Sequence, residues 1–344
     1  MKKQLIDLMK ADAIAGREQE VRRVIIDYLT PFDIKLERDG YGNQYASLTN
    51  GSQKPKLMII AHMDEVGFMV KHITADGFIY TQPFGGWNSQ VVLGQRVTVT
   101  SRQKGSKYRG VFGTTAKKGQ NPQEPVTLGE MYVDIGAKNQ SEVEALGIQV
   151  GDMITPSGEI EELPNNLILG KALDDRSGCV ILLEVLNRLS KEAHLNVEVV
   201  GVFSAQEEVG TRGSFVAAAK INPYEALILD VATAKDTPGA DQYQNRCLGH
   251  GPGIVWFDKT AVSDVKLSDR VIAIAKKEGI PFQHDVFAGG GTDAGSVQLA
   301  GGGVPTVGLS LGVRYCHSGS SIASLVDMEA SVNLIVAYVK SINR

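Results

Sequence analysis

The amino-acid sequence predicts an α/β protein with a mixed, mainly parallel sheet sandwiched by helices and a small all-β domain inserted into it. Three observations support this fold class. Apolar runs alternate with helical patterns near both ends of the chain, as a parallel sheet requires. Between residues 66 and 163 the pattern changes to short alternating segments divided by glycines and polar turns, typical of a small β module. The length of 344 residues, 43% of them hydrophobic, suffices for one large or two modest domains.

The first part of the chain contributes one clear helix and one clear strand. Residues 17–30 have apolar side chains at helical spacing and end at Pro31. The apolar run KLMIIAH at 56–62 predicts a buried strand. Short alternating segments then predict the strands of the insertion, namely GFMVKHI, GFIYTQP, QRVTVTS, KYRGVFG, MYVDIG and DMITPSG.

After Pro164, helical and strand patterns alternate to the end of the chain, which indicates a mainly parallel sheet. We expect helices at 176–190, 212–220, 262–279 and 326–343, and strands at 196–204, 225–230 and 304–311. The plan is therefore one α/β domain in two pieces, with the β module inserted between them.

Composition argues against several classes of function. The chain has 35 Lys and Arg against 39 Asp and Glu, and this slight negative charge argues against nucleic acid or an anionic membrane as a partner. No apolar stretch approaches the roughly 20 residues of a membrane span. Asp7, Lys10 and Asp12 interrupt any apolar signal-peptide core, so we expect a cytoplasmic protein. The three cysteines are widely spaced, which excludes a CxxC zinc site and leaves carboxylates as the main ligands for any metal.

Polar residues stand at predicted strand ends, although buried strands should be apolar there. In open α/β sheets the functional crevice lies at the carboxyl ends of the strands, so we expect these residues to converge. They are His62, Asp64 and Glu65 after the strand at 56–62, Asp174, Asp175 and Arg176 at the start of a helix, Glu207 and Glu208 after the strand at 196–204, Asp230 at the end of ALILD, and His317 beyond the strand at 304–311.

Converging carboxylates repel one another and need either protons or cations. Two divalent ions about 3.5–4 Å apart, sharing one bridging carboxylate, would balance them. Zinc accepts both imidazole nitrogen and carboxylate oxygen. His62 and Asp64 lie two residues apart and point to one side of an extended chain, so Asp64 could orient the imidazole. The adjacent Glu207 and Glu208 diverge, so one could bind metal while the other takes a proton from water.

Each of these residues also has a structural interpretation when it is considered alone. A histidine after a strand is often a satisfied structural residue. The residues 174–176 could form a helix N-cap with a local ion pair. A pair of glutamates is usually a solvated surface. The metal hypothesis depends on finding all of them at equivalent ends of consecutive strands.

The motifs together resemble those of the tetrahedral (TET-type) or glutamyl aminopeptidases, a family of dinuclear metallopeptidases once described as endoglucanases. The resemblance covers essentially the whole chain and implies a zinc-peptidase-like fold. It rests on AHMDEVGF at 61–68, PFGGWNSQVVLGQRV at 83–97, ALDDRSG at 172–178, SAQEEVGTRGS at 204–214, ALILDVA at 226–232, GGGTDAG at 289–295 and CHS at 316–318.

The resemblance implies a role for each matching residue. It implies two divalent ions per subunit, zinc or cobalt, with manganese as a further option. A metal-bridged hydroxide would attack the peptide bond after the N-terminal residue of a peptide with a free amino terminus. Asp174 would bridge the ions, His62 and Asp230 would complete one site, Glu208 and His317 the other, Glu207 would be the general base, and Asp64 would support His62.

The resemblance also implies an assembly. Residues 1–65 and 164–344 would form the catalytic domain, and residues 66–163 a barrel-like dimerisation domain. Dimers would associate into a tetrahedral dodecamer. A cis peptide bond is expected between Asp174 and Asp175. Arg246 and Lys259 are candidates for recognising an acidic first residue of the substrate.

The sequence is also compatible with alternative functions. Ser310 lies in GLSLG at 308–312, which matches the G-x-S-x-G pattern of serine hydrolases. A nucleophile elbow needs a helix directly after the strand, and the following VRYCHSGSS has no helical pattern. Another dinuclear metallohydrolase reaction, such as that of a deacylase or glycosidase, is a further option. A glycosidase usually lines its cleft with aromatic residues, and only two Trp are present.

Overall fold

Two β structures of different kinds organise the chain. The computed structural model describes residues 1–48, 54–115, 124–240, 246–287 and 289–342. The strands are β1 (Lys35–Arg38), β2 (Gln44–Leu48), β3 (Lys56–His62), β4 (Gly67–Ile73), β5 (Ile79–Phe84), β6 (Arg96–Thr100), β7 (Lys107–Thr114), β8 (Met131–Asp134), β9 (Met153–Pro156), β10 (Glu161–Leu163), β11 (Leu167–Gly170), β12 (Glu198–Ser204), β13 (Glu225–Thr233), β14 (Gly253–Phe257), β15 (Gln283–Val286), β16 (Thr306–Arg314) and β17 (Ser321–Ser324).

The helices are distributed over both sequence pieces that flank the predicted insertion, with two short ones inside it. They are α1 (Lys2–Lys10), α2 (Gln19–Leu29), α3 (Ser89–Val92), α4 (Gln140–Ala145), α5 (Leu173–Leu189), α6 (Arg212–Ile221), α7 (Val265–Glu278), α8 (Ala294–Val297) and α9 (Leu325–Ser341), with a 3-10 turn at Leu128–Glu130. None of the described helices is long and apolar enough to cross a membrane.

The large sheet is mixed, and its centre is parallel. Its strand order is β1-β2-β12-β3-β13-β16-β17-β11-β10, with β14 paired to β16 and β15 paired to β14. The central strands β12, β3, β13 and β16 are parallel to one another. The outer pairs are antiparallel, as in the hairpin of β10 and β11, except that β14 and β15 are parallel to each other. The sheet is mixed, as predicted, but only its centre is mainly parallel. Several outer strands are joined by short turns as antiparallel hairpins. Asn165 and Asn166, both at positive φ, form one such turn.

Helices cover both faces of this sheet, and strand β3 shows how the sequence directs them. Leu57 and Ile59 face a core that they share with α1, α2, α5, α7 and α9. Met58 and Ile60 point the other way, into a second core formed with α6 and α8. Because both faces are covered, the apolar run of β3 is continuous instead of alternating. The polar residues that follow β3 therefore lie at the edge of these two cores.

The strands between Gly67 and Pro156 form a closed barrel in the order β4-β5-β8-β7-β6-β9. All its pairings are antiparallel. Side chains fill its interior, as expected for so few strands. Phe68 lies at the centre, where its ring centroid is 4.6 Å from that of Phe112 and 4.7 Å from that of Trp87. The barrel therefore has a hydrophobic core of its own.

A buried cluster of charged side chains joins the barrel to the large sheet. Asp12 accepts hydrogen bonds from Lys171 Nζ at 2.7 Å, from Lys107 Nζ at 2.8 Å and from Thr155 Oγ1 at 2.9 Å. Lys171 also donates to Glu65 Oε1 at 2.8 Å. Lys107 and Thr155 belong to the barrel, whereas Lys171 and Glu65 border the large sheet. We call these residues the interdomain ion cluster.

The cluster depends on complete charge pairing. Burial acts to raise the pKa of Asp12, but Lys171 and Lys107 outweigh it and lower that pKa to about 2. Removing one partner of a buried ion pair costs roughly 3–5 kcal/mol, because the other charge is left without compensation.

We predict that Lys171→Met lowers the free energy of unfolding by about 3 kcal/mol, the lower end of this range, because Asp12 keeps only Lys107 and Glu65 keeps only Arg176 as a cation. Circular dichroism during thermal and urea unfolding measures the change. The matched control is Lys277→Met, because the Lys277 side chain is 74% exposed, and it should change little. The low pKa of Asp12 stabilises the fold above its usual value of 3.8, so this contribution should fade as the pH falls toward about 2. Equal stability of the variant and wild type at pH 7 contradicts the assignment.

Candidate metal centre

The predicted site residues converge at the carboxyl ends of the central strands. His62 ends β3, Asp230 lies near the end of β13, and Glu207 and Glu208 follow β12. His317 lies in the loop after β16, and Asp174 lies at the start of α5. The first turn of α5 departs from helical geometry, with φ −85° and ψ 109° at Asp174. The peptide bond between Asp174 and Asp175 is cis.

One group of potential ligands surrounds the first carboxylate oxygen of Asp174. His62 Nε2 lies 3.0 Å from Asp174 Oδ1 and 3.8 Å from Asp230 Oδ1. One ligand atom of each of these three residues lies within 4.8 Å of those of the other two. The arrangement is compact enough for a single cation to contact all three.

A second group surrounds the other oxygen of the same carboxylate. His317 Nε2 lies 3.0 Å from Asp174 Oδ2 and 3.7 Å from Glu208 Oε1. The side chain of Glu208 is only 4% exposed, and its Oε1 has no hydrogen-bond partner among the described residues. Asp174 therefore presents one oxygen to each group, the geometry that a bridging ligand needs.

Asp175 and Asp174 have different partners, and the sequence alone did not distinguish their roles. Asp175 Oδ1 accepts the backbone N–H of Gly178 at 2.9 Å, as a residue at the start of a helix does. Its Oδ2 accepts the backbone N–H of His62 at 3.3 Å. Both oxygens of Asp174 instead face the two imidazoles. The N-cap interpretation of this segment thus applies to Asp175 and not to Asp174.

Asp64 positions three neighbouring residues. Its carboxylate accepts the backbone N–H groups of Glu207 at 3.0 Å and Glu208 at 3.1 Å. The ring Nδ1 of His62 lies 3.0 Å from the backbone carbonyl of Asp64 and 3.7 Å from its carboxylate. The sequence suggested contact between the carboxylate and the imidazole, whereas the carbonyl is the nearer group. The spacing of residues in the sequence did not predict the contact of Asp64 with the two glutamates.

The barrel also contributes to the centre, which the sequence did not indicate. The Nδ1 atom of His317 lies 2.6 Å from the backbone carbonyl of Gly86, in the loop after β5. This contact directs Nε2 toward Asp174. The preceding Gly85 has φ +78°, and a Cβ there would lie 2.7 Å from Glu208 Oε2. Only glycine allows this loop to approach the centre so closely.

The backbone around the centre is unusual at several positions. Ala172, Gln206, Tyr315 and His317 all have positive φ angles between 57° and 61°. Such angles are uncommon for residues other than glycine and concentrate at functional sites. Each of these residues either belongs to the centre or lies within two residues of one of its members.

The electrostatics of the centre favour cations. Burial raises the pKa of Glu208 to about 8. Burial, together with repulsion from neighbouring carboxylates, also raises the pKa values of Glu207 and Asp230 well above the usual range. Burial acts in the same direction on Asp174, but the hydrogen bonds with His317 and His62 hold its pKa below the usual range. Imidazole and carboxylate donors suit zinc and several other divalent ions. The unpartnered oxygen of Glu208 and this donor set fit a pair of divalent cations.

The centre opens into a cavity of about 2000 Å³. The cavity walls include both cationic candidates from the sequence. Arg246 is 5% exposed, and its Nε lies 2.9 Å from Asp285 Oδ1. Lys259 is exposed, and the backbone of 289–291 lies beside it. A chamber of this size accommodates several residues of a peptide.

The serine hydrolase interpretation is wrong. Ser310 lies in the middle of β16, which continues to Arg314 without the helix that a nucleophile elbow needs. The side chain is buried and donates its hydroxyl to Asp285 Oδ2 at 2.8 Å. It therefore supports a buried carboxylate instead of attacking a substrate.

Comparisons with known proteins show the family and the fold of this chain. Residues 42–334 match the model of the M42 glutamyl aminopeptidase family. The glutamyl aminopeptidase of Lactococcus lactis subsp. cremoris (strain MG1363) is 34% identical over 351 residues, covering 99% of this chain and 97% of the relative. A TET aminopeptidase from a marine sediment archaeon of the Thaumarchaeota gives a TM-score of 0.95 at 32% identity, covering 99% of this chain and 96% of that one. The Pyrococcus horikoshii TET1 peptidase, which can assemble into a tetrahedron or a large octahedral shell, gives a TM-score of 0.88 at 28% identity over 99% of both chains.

The chain therefore belongs to the M42 glutamyl aminopeptidase family. This finding confirms the resemblance that the motifs indicated. Aminopeptidase activity follows from membership of the family, and its peptidases depend on metal ions. The mixed sheet with its small closed barrel is the fold of the TET aminopeptidases.

We predict that Ser310→Ala retains full hydrolytic activity toward aminoacyl p-nitroanilides, because the hydroxyl contacts only buried groups of the protein. The loss of one buried hydrogen bond to a charged group should cost about 1.5–3 kcal/mol of stability. Initial rates at a temperature well below unfolding measure the effect. In the same assay, excess chelator should abolish the activity of both proteins. A large loss of rate in the folded variant would restore the serine hypothesis.

Proposed function

We propose that this protein is a dinuclear metallo-aminopeptidase that removes the N-terminal residue of peptides with a free amino terminus. One observation carries the proposal: the two oxygens of Asp174 face two separate groups of ligands, each with one imidazole and one further carboxylate. His62 and Asp230 would complete one site, and Glu208 and His317 the other. Zinc, cobalt or manganese would suit these donors.

The bound ions would polarise the scissile carbonyl and make water a better nucleophile at neutral pH. The protein's own residues supply the remaining functions. Asp64 fixes the backbone of Glu207, so the side chain of Glu207 is held at the cavity beside His62 and Asp230. We propose that the Glu207 carboxylate accepts the proton of the attacking water and then donates it to the leaving amine.

The substrate would enter through the cavity. Its free ammonium group would be attracted by the acidic cluster, which restricts cleavage to the first peptide bond. Arg246 is already compensated by Asp285, so we propose that Lys259 is the better candidate to face an acidic side chain. A panel of aminoacyl p-nitroanilides with acidic, basic and aliphatic residues, assayed with each metal, tests this preference.

We propose that the chain forms homo-oligomers in the cytoplasm, with residues 66–163 as the dimerisation domain. The support is the TET1 peptidase, which shares the fold and forms tetrahedral or octahedral shells. A tetrahedral dodecamer would enclose the cavities of its protomers. Native mass spectrometry counts the protomers of 37.0 kDa in the assembly.

We predict that Glu207→Gln reduces kcat by about 100- to 10,000-fold, because an amide cannot act as a general base. Metal content and melting temperature should stay close to those of the wild type. Glu278→Gln, on the exposed side of α7, serves as a control and should retain full activity. Wild-type turnover by Glu207→Gln would remove Glu207 from the mechanism.

We predict that Asp174→Ala loses both ions, because this carboxylate faces both groups of ligands. Asp230→Ala provides the matched comparison, since it should lose only the ion on the side of His62. Inductively coupled plasma mass spectrometry of the dialysed proteins gives the number of ions per chain. Two ions retained in Asp174→Ala would show that Asp174 is not the bridge.

A further inference from the structure

We propose that Cys316 is an additional ligand of the ion held by Asp174, Glu208 and His317, so that one of the two metal sites has a sulfur donor. This inference rests on the proposed dinuclear centre and extends its ligand set. The structure places the thiol on the wall of the cavity.

The geometry around Asp174 Oδ2 supports the proposal. Cys316 Sγ lies 3.1 Å from this oxygen, and His317 Nε2 lies 3.0 Å from it. Ligand atoms of Asp174, Cys316 and His317 all lie within 4.8 Å of one another. Ligand atoms around a four-coordinate zinc ion with bonds of roughly 2.0–2.3 Å are about 3–4 Å apart. The three side chains therefore need only small rotations to bind one ion.

Glu208 provides an independent observation at the same place. Its carboxylate is 96% buried by the protein, since only 4% of the side chain is exposed. Its Oε1 has no hydrogen-bond partner in the described part of the chain and lies 3.7 Å from His317 Nε2. A buried, unpartnered carboxylate oxygen beside these three donors is what a cation at this position would satisfy.

The backbone explains how two adjacent side chains reach one oxygen. In an extended strand, neighbouring side chains point to opposite sides. Tyr315 has φ 58° and His317 has φ 57°, so the chain leaves the extended conformation on both sides of Cys316. The other cysteines have different surroundings. Cys179 donates to the carbonyl of His62 within the core, and Cys247 is a partly exposed free cysteine outside the cavity wall.

Coordination by sulfur has a chemical consequence. The thiol loses its proton to solvent as the sulfur–metal bond forms, so the ligand is a thiolate. Thiolates favour zinc and other soft ions over manganese and magnesium. The site next to Glu208 should therefore discriminate against manganese more strongly than the site next to Asp230.

Cobalt(II) provides the test, because a thiolate bound to it produces a near-ultraviolet charge-transfer band that oxygen and nitrogen donors do not produce. The full-length protein is stripped of metal, loaded with two equivalents of cobalt(II), and its bound metal is counted by mass spectrometry. We expect the band in the wild type and in Cys247→Ser, and its loss in Cys316→Ser, which keeps a hydroxyl beside Asp174. Cys316→Ser should also bind its second ion more weakly by at least the roughly 10- to 100-fold that loss of a supporting partner costs.

The outcomes separate the two levels of the proposal. Two bound cobalt ions without a charge-transfer band in the wild type would overturn the role of Cys316 and leave the dinuclear centre intact. A band that persists in Cys316→Ser would overturn it as well. No bound cobalt in the wild type would overturn the dinuclear centre itself. If Cys316→Ser does not fold, the spectra of the wild type and of Cys247→Ser decide the matter, and loss of the band in Cys247→Ser would overturn the role of Cys316.

Discussion

The carboxylate of Asp174 is the feature on which the rest of the centre depends. Its side chain is only 13% exposed, and two imidazoles compensate its charge, one at each oxygen. Burying an ionised carboxylate costs several kcal/mol unless such partners are present. Three separate parts of the chain must therefore meet in fixed positions. β3 carries His62, the irregular first turn of α5 carries Asp174, and the loop after β16 carries His317.

The barrel belongs to this arrangement and is not a passive appendage. Its loop supplies the carbonyl of Gly86, which fixes the ring of His317. The orientation of the barrel is fixed in turn by the interdomain ion cluster, where Lys107 and Thr155 contact Asp12. Because Lys171 links Asp12 to Glu65, and Glu65 directly follows Asp64, the cluster lies one residue from a residue that positions both glutamates of the centre. Correct docking of the two bodies is thus a condition for a complete centre.

The sequence predicts the parts of the fold that local pattern determines. Strand β3 and helix α2 both lie where the sequence predicts them. A buried face requires apolar residues at the repeat of its strand or helix, so the sequence pattern identifies these elements. The strand-end acids converge because the carboxyl ends of the parallel central strands lie at one edge of the sheet. The hairpin of β10 and β11 was not predicted because its strands are short, and β14 and β15 were not predicted because they are short and their pairing is non-local. The contact of the Gly86 carbonyl and the contacts of Asp64 with backbone N–H groups involve backbone atoms. Every residue has these atoms, so no residue pattern predicts such contacts.

The polar group beneath the cavity shows why a motif match needs its structural context. Arg246 is buried, so its charge requires a nearby anion, and Asp285 lies 2.9 Å away. Burial raises the pKa of Asp285, while Arg246 and the hydroxyl of Ser310 act against this shift. The hydrogen bond to Asp285 therefore explains the polar side chain of Ser310 within a strand. The carboxylate of Asp285 in turn compensates the charge of Arg246. Asp285 thus largely balances the charge of Arg246 at the cavity. Lys259, on the open wall, has a positive charge that is exposed to an incoming substrate. In the proposed function, selection among substrates by charge would act at the wall of the chamber, and the acids around Asp174 would act on the part common to all peptides, the free amino group and the first peptide bond.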